Sequence, residues 1–524
     1  MSLFQKMKKA KISVKNRPST IPDQVLDGQS KLSASLKETE SLIKNVLGKN
    51  DDFQVKHFKI FGQYQAAMFY FTNLVNQDHV NKDILRPLMY VPEHLISKEK
   101  PLNQLIDIIM HETLYHGQAM VEKSLDKLIA VLLRGETVIF VDGLTEAIHV
   151  STREVEHRSV TQPETEQVIL GPREGFIENI DTNIAMLRYR LPTADFQVRT
   201  MEIGRLTKST VCYCYIKGVT NEKVITEVEN RLSAIDIDAI MDAGYLEQFI
   251  EDNHFTPFPQ IQTTERPDKT VANLVEGRVA ILVDGSPFAL LVPVVFNQFY
   301  QTAEDYASRF LMGTFARFAR VLALVFSLIF PSLYVSLIAF NPELLPTEFA
   351  VAVAGGRAGV PYPAVVEVLI IEISMEILRE ATVRLPRQVG GALSIVGVLV
   401  VGQAAVEAGL ASPITVVVIA LTTIGSFATP AYTAAFALRM LRFPIMILAG
   451  IFGLYGVMIG IILTFNHLLN LKSFGVPYMA PVSPGSSQGM KDVVTRSPLW
   501  SMSKRPSFLQ PANRKRHEQD DNKQ

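Results

Sequence analysis

The sequence predicts a mixed fold: duplicated cytosolic α/β modules followed by an all-α multi-span transmembrane domain. Three observations predict it. Motifs in the first 290 residues recur at a nearly constant offset, charge thins and apolar runs lengthen from about Arg320 to Leu471, and the chain then turns polar and charged again. The implied organisation is a flexible basic arm (1–49), a first α/β module (50–170), an inter-module connector (171–194), a second module (195–300), a transmembrane helical domain of four or five spans (301–472) and a disordered tail (473–524).

The arm is polar and Lys-rich, with one amphipathic helix expected from Ser33 to Leu47. Its start is basic, but no apolar stretch follows, so a cleavable signal peptide is not expected. The repeat comes next. Asp52-Phe53-Gln54-Val55-Lys56 recurs 143 residues on as Asp195-Phe196-Gln197-Val198-Arg199. Met68-Phe69-Tyr70-Phe71 recurs at an offset of 144 as Cys212-Tyr213-Cys214-Tyr215. Leu133-Arg134-Gly135 with Ile139-Phe140-Val141-Asp142-Gly143 recurs at 142 as Val275-Glu276-Gly277 with Ile281-Leu282-Val283-Asp284-Gly285. Three motifs in one order at one offset indicate two copies of one module. Within each copy, aromatic and β-branched runs read as strands, and residues Asn221 to Ile235 read as a helix. Asp-Gly between apolar runs is a hairpin signal, because a type I′ turn needs positive φ at both centres. Asp142 and Asp284 are therefore read as turn-formers.

Catalytic and metal motifs are weak here. Cys212 and Cys214 alternate along a strand, share one face, and read as buried thiols. His111 and His116 resemble a zinc-protease pair, but they are five positions apart rather than four, which puts the rings about 140° apart on a helix. No phosphate-binding glycine loop and no nucleophile elbow occurs, so neither an enzyme nor a cofactor is expected. A formal net charge of −1 does not indicate a nucleic-acid partner.

Val321 to Phe340 is free of charge and long enough to cross a bilayer. Further spans are expected at Gly390 to Leu410, Ile414 to Leu438 and Pro444 to Leu469, rich in small residues that pack closely in lipid. Pro361 to Leu378 is apolar but carries Glu367, Glu372 and Glu376. A carboxylate at bilayer centre costs roughly 2.5–3.5 kcal/mol. These acids must be paired, neutral, interfacial or wet. Two readings stay open. Glu376 and Glu380 pair with Arg379 and Arg384, or Glu367, Glu372 and Glu376, with Gln403 and Glu407 beyond them, flank a path for monovalent cations. Arg309, Arg317 and Arg320 before the first span set the modules in the cytosol. The links at Arg379–Arg387 and Arg439–Arg442 are basic as well. A five-span count puts the tail outside, and a re-entrant segment returns it to the cytosol. The tail's composition reads as disordered.

Several runs resemble the A subunits of bacterial spore germinant receptors. They are Gly171-Pro172-Arg173-Glu174-Gly175-Phe176-Ile177-Glu178 with Asn183 and Leu187-Arg188-Tyr189-Arg190-Leu191, and Glu372-Ile373-Ser374-Met375-Glu376-Ile377-Leu378-Arg379-Glu380-Ala381 with Val383-Arg384-Leu385-Pro386. Gly402-Gln403-Ala404-Ala405-Val406-Glu407-Ala408-Gly409 and Ser412-Pro413 follow. The resemblance covers about residues 50 to 475. It implies a protein of the spore inner membrane that works with a transporter-like B subunit and a lipoprotein C subunit. Nutrients would bind mainly the B subunit. The A subunits would self-associate as a ring, a pentamer, forming a nutrient-gated cation channel that triggers germination. A paralogue from the dipicolinate-channel operon shares the layout, but the Pro172-Arg173-Glu174 form is closer to the receptor subunit. A non-conducting scaffold subunit is the alternative. Arg173, Glu174, Arg188 and Arg190, lying between the modules, are read as inter-module or assembly ion pairs.

Overall fold

The computed structural model describes residues 32–90, 102–114, 119–153, 162–383, 402–486 and 489–516. The first of two five-stranded antiparallel sheets contains β1 (Phe53–Ile60), β2 (Tyr64–Phe71), β3 (Ala119–Glu122), β4 (Thr137–Val141) and β5 (Ala147–Val150), in the order β1-β2-β4-β5-β3. The second contains β6 (Phe196–Ile203), β7 (Ser209–Ile216), β8 (Gln262–Thr264), β9 (Val279–Val283) and β10 (Ala289–Val292), in the order β6-β7-β9-β10-β8. The two orders are equivalent strand for strand.

Both faces of each sheet are covered, so the central strands β4 and β9 are buried at every position rather than alternating. Along β2, Ala66 and Met68 face one cluster with Ile84, Leu88 and Ile109. Ala67, Phe69 and Phe71 face the other, under α1 (Leu36–Leu47) and α2 (Leu125–Leu132). The second sheet repeats this. Val211 and Tyr213 pack beneath α4 (Glu222–Ser233) and α5 (Ala243–Ile250). Cys212 and Cys214, buried and unbonded, pack beneath α3 (Ile180–Arg190) and α6 (Pro267–Glu276).

The Asp-Gly hairpins do more than turn. The Asp142 carboxylate accepts from the Leu36 N–H at the start of α1, and the Gly143 N–H donates to Ala34. Asp284 accepts from the Ile180 N–H at the start of α3, and the Gly285 N–H donates to Glu178. Each hairpin thus satisfies an orphan donor at the first turn of a helix. The expected boundaries shift accordingly. The segment 32–47, assigned to the arm, packs on the first sheet, and α3, assigned to the connector, packs on the second. Their burial depends on tertiary contacts that the repeat motifs do not record. His116 lies outside the described residues, and His111 is exposed.

The helical half begins at α7 (Phe310–Phe340), followed by α8 (Thr347–Arg357), α9 (Ala364–Val383), α10 (Pro413–Phe427), α11 (Tyr432–Phe452) and α12 (Leu454–Asn470). α7 packs against α9, α10, α11 and α12. By length and composition α7 and α11 are long and apolar enough to cross a membrane, while α10 and α12 are shorter apolar helices. The expected span at Gly390–Leu410 falls mostly outside the described residues.

Two expected span boundaries are corrected. The run Ile414–Leu438 is broken at Pro430, because the residue before a proline is pushed out of helical conformation. The run Pro444–Leu469 is not one helix: α11 continues through Pro444 and turns into α12 at Gly453, φ +61°. A Cβ there would also lie 2.9 Å from the Phe340 ring, so glycine is required twice over. Arg439 and Arg442, expected in a polar link, are buried inside α11.

The tail is also corrected. After α12 the chain returns to the second module. Ser473 Oγ donates to the Gln260 carbonyl at 2.7 Å, and Tyr478, fully buried, donates to the Pro259 carbonyl at 2.7 Å. Val493 and Leu509 are buried, and Arg516 pairs with Glu276. Between tail and module lies a cavity of about 540 Å³. The tail therefore sits on the same side of the helical half as the modules.

Candidate functional site

The acids of the helical half are the natural place to look for function, and three are already engaged. Glu367, fully buried on the first turn of α9, accepts from Arg357 Nε at 3.0 Å and from the Ser412 N–H at 2.7 Å. Ser412 is the N-cap of α10, its Oγ accepting from the Thr415 N–H, with Pro413 at the first helical position. The Ser-Pro pair in the sequence is thus a helix start tied to a carboxylate. Glu372 is buried and accepts twice from Arg442 Nη1 of α11, at 3.0 and 2.8 Å. Glu376, four residues on and on the same face, accepts from Arg379 at 2.7 Å and lies 3.4 Å from Arg439 Nε.

Glu367, Glu372 and Glu376, the acids singled out in the sequence, are each held by an arginine of their own chain. The physical reason is desolvation. A carboxylate removed from water keeps its charge only beside a cation with good geometry. Gln403 and Glu407 differ. Both are exposed, on the helical stretch 402–407, and Gln403 Nε2 donates to Glu407 at 3.1 Å. Among the described residues no cation pairs with Glu407.

Of the residues read from the sequence as inter-module pairs, Arg188 joins the two sheets. Arg188 on α3 is buried and two-pronged on Asp52, Nε to Oδ2 at 2.5 Å and Nη2 to Oδ1 at 2.6 Å, with a third bond to Asn50 at 2.9 Å. Its guanidinium stacks 4.2 Å over Phe71 and 5.2 Å from Phe196, one ring from each sheet. Asn50 and Asp51 meanwhile bond to the backbone of Val198 and Thr200 in β6. Arg190 pairs with Glu174 at 2.5 Å, and Arg173 is exposed. Asn183 clasps Ile177 through both its amide groups, and Arg266 Nη2 donates to the Pro172 carbonyl at 2.9 Å, docking the connector on the second module.

Where the modules meet the helices, a second buried pair cluster was not foreseen. Asp305 takes both Arg317 and Arg320 from the start of α7, and Arg317 reaches Asp492 of the tail at 2.7 Å. Burial opposes ionisation of Asp305, but the two guanidiniums outweigh it and hold its carboxyl below the usual range. For Asp492 burial wins, and its carboxyl is pushed up. The excess of arginine just before the first apolar run was the only signal for this joint. Among the described residues no group of three or more His, Cys, Asp or Glu is arranged to hold a metal ion.

Known proteins share this sequence almost end to end. The family described as Bacillus/Clostridium GerA spore germination protein matches residues 41–508. Spore germination protein KA of Bacillus subtilis (strain 168) is 44% identical over 93% of this chain and 89% of its own. The uncharacterized membrane protein YfkQ of the same organism is 38% identical over 92% and 93%. Spore germination protein GerLA of Bacillus cereus is 35% identical over 91% and 96%. The crystal structure of the N-terminal domain of the A subunit of the Bacillus megaterium spore germinant receptor GerK3 is 36% identical, covering 51% of this chain and 98% of that domain, with a TM-score of 0.40. The chain belongs to the Bacillus/Clostridium GerA family of spore germination proteins, the A-type subunits of spore germinant receptors.

Proposed function

We propose that this chain is anchored in the spore inner membrane by its helical half, with modules and tail in the cytosol, and that copies of it assemble as a ring, a pentamer, around a path for monovalent cations. Nutrient recognition would rest mainly with a transporter-like B subunit, and a lipoprotein C subunit would complete the receptor. The two sheets, with one strand order and equivalent hairpin-to-helix bonds, are read as a duplicated module that serves assembly and coupling.

The observation that carries the channel reading is Glu407. Glu407 is an exposed carboxylate with no cation paired to it among the described residues, so it faces water or a neighbouring subunit, since lipid would oppose its charge. Exposed apolar side chains such as Phe315, Val325, Ile451, Tyr455 and Ile462 supply a lipid-facing surface for the same half. Purified protein in liposomes should pass K⁺ or Na⁺, with Glu407→Gln altering the flux. The second reading, a scaffold subunit that conducts nothing, is favoured by the self-pairing of Glu367, Glu372 and Glu376. Absence of flux from correctly assembled rings would select it.

A further inference from the structure

The ion-pair cluster between α9 and α11 does not balance. Among the described residues paired in it, Glu372 and Glu376 supply two negative charges, while Arg379, Arg439 and Arg442 supply three positive ones. Glu380, nearby on α9, is exposed and already engaged. The surplus is visible atom by atom. Among the described residues nothing hydrogen-bonds to the Nε and Nη2 of Arg439, which is 5% exposed, or to the Nε of Arg442, 2% exposed. Thr423 Oγ1, one turn before the Ser426 hydroxyl that Arg379 approaches at 3.5 Å, is also buried without a partner. Guanidinium donors left unsatisfied in an apolar surrounding are costly, so an acceptor is called for.

The depth of the cluster narrows what that acceptor is. Arg439 lies seven residues into α11, about 10 Å from a start where the Ala431 N–H donates to the Phe299 carbonyl. Gly425, next to Ser426, sits against the Ala323 carbonyl of α7, one turn beyond Arg320 and its contact with Asp305. The cluster is therefore at the module-side edge of the helical half, where a bilayer carries its phosphates. It is not closed off: a third of the Glu376 side chain is exposed. Acids from a second, parallel copy are badly placed to fill it. Glu367 lies at the opposite end of the helices, bonded to Ser412 and Arg357, Glu407 precedes Ser412 by five residues, and Glu343 follows the far end of α7.

We propose that Arg439, with Arg379 and Arg442 around it, is a binding site for a phosphate-bearing anion, the headgroup of an anionic phospholipid in the cytosolic leaflet. Guanidinium forks suit phosphate oxygens, and two or more charge-assisted bonds would be made at one headgroup. Tyr432 and Phe436, whose rings lie 5.7 and 5.3 Å from the Arg439 guanidinium, hold it at interfacial depth. This rests on the helical half lying in a bilayer.

The test uses the full chain. Incorporation into nanodiscs of mixed phosphatidylglycerol and phosphatidylcholine reports on the membrane reading by itself, since a protein that stays outside the disc fails that reading and not this one. Native mass spectrometry of incorporated protein should then show phosphatidylglycerol retained over phosphatidylcholine by roughly tenfold, the value of one charge-assisted bond. Arg439→Gln should abolish the preference, and Arg439→Lys should keep part of it. Equal retention of both lipids by the wild type would overturn the proposal, as would an unchanged preference in Arg439→Gln. A thermal shift produced by inorganic phosphate alone, equal to that from phosphatidylglycerol, would overturn the lipid as the source.

Discussion

One nitrogen of Arg442, Nη1, donates to both carboxylate oxygens of Glu372, joining α9 to α11 across 70 residues of sequence. Removing one member of such a pair strands the other as a buried charge, at a cost of about 3–5 kcal/mol. Glu372→Gln is expected to lower the thermal stability of the full chain in detergent by that order. Glu372→Leu combined with Arg442→Met should recover most of the loss. Two losses that simply add in the double variant would show that the residues do not act as a pair.

The junction between the modules depends on the fork of Arg188 rather than on its charge alone. Arg188→Ala is expected to destabilise by about 3–5 kcal/mol. Arg188→Lys should lose most of the same amount, because an ammonium cannot meet Asp52 two-pronged and Asn50 together. Denaturant unfolding measures both, and a lysine variant as stable as the wild type would contradict the geometry.

Acid should weaken the joint at the foot of α7. The folded-state pKa of Asp305 is depressed, so its contribution is present above the unfolded carboxylate value, about 3.9, and is lost as pH falls through the lower folded value. Protection from hydrogen exchange around residues 302–320, taken relative to the intrinsic rate at each pH, should therefore stay high at pH 6 and fall only below about pH 4. Asp305→Asn should lower that protection at both pH values. Asp492, whose carboxyl is raised, works in the opposite sense: protonation favours its folded environment, so Asp492→Asn should be tolerated far better than Asp305→Asn.

The tail should behave as part of the fold. Tyr478→Phe leaves the Pro259 carbonyl without its donor inside a buried site, worth about 1–3 kcal/mol. Limited proteolysis should cut that variant in residues 472–516 faster than the wild type. A wild-type tail cleaved immediately after folding would argue that the segment is not held.

The recurring runs Asp-Phe-Gln-Val and Val-Asp-Gly sit at equivalent places in the two sheets, where strand pairing and a turn leave little freedom. The helices that cover each sheet were harder to delimit, since α1 and α3 share a role, capped by Asp142 and Asp284, but almost no residues. Glu372 stood out in an apolar run, yet its partner lies 70 positions away, and no local pattern names Arg442. Arg439 and Arg442 misled in a definite way. Charged residues mark loops when they are solvated, and these are buried within a helix. The tail misled for the converse reason: its Pro, Ser and Arg content resembles a solvated segment, while Tyr478, Val493 and Leu509 bury one by one.

The central claim is that Glu367 and Glu372 on α9 are locked to arginines of the same chain, while Gln403 and Glu407 are open to water or to a neighbour. Substituted-cysteine labelling of membrane-inserted protein with a charged thiol reagent tests this most directly. Cysteine at Gln403 or Glu407 should be modified, and cysteine at Glu367 or Glu372 should not. Rapid modification at Glu372 with none at Glu407 would contradict the claim.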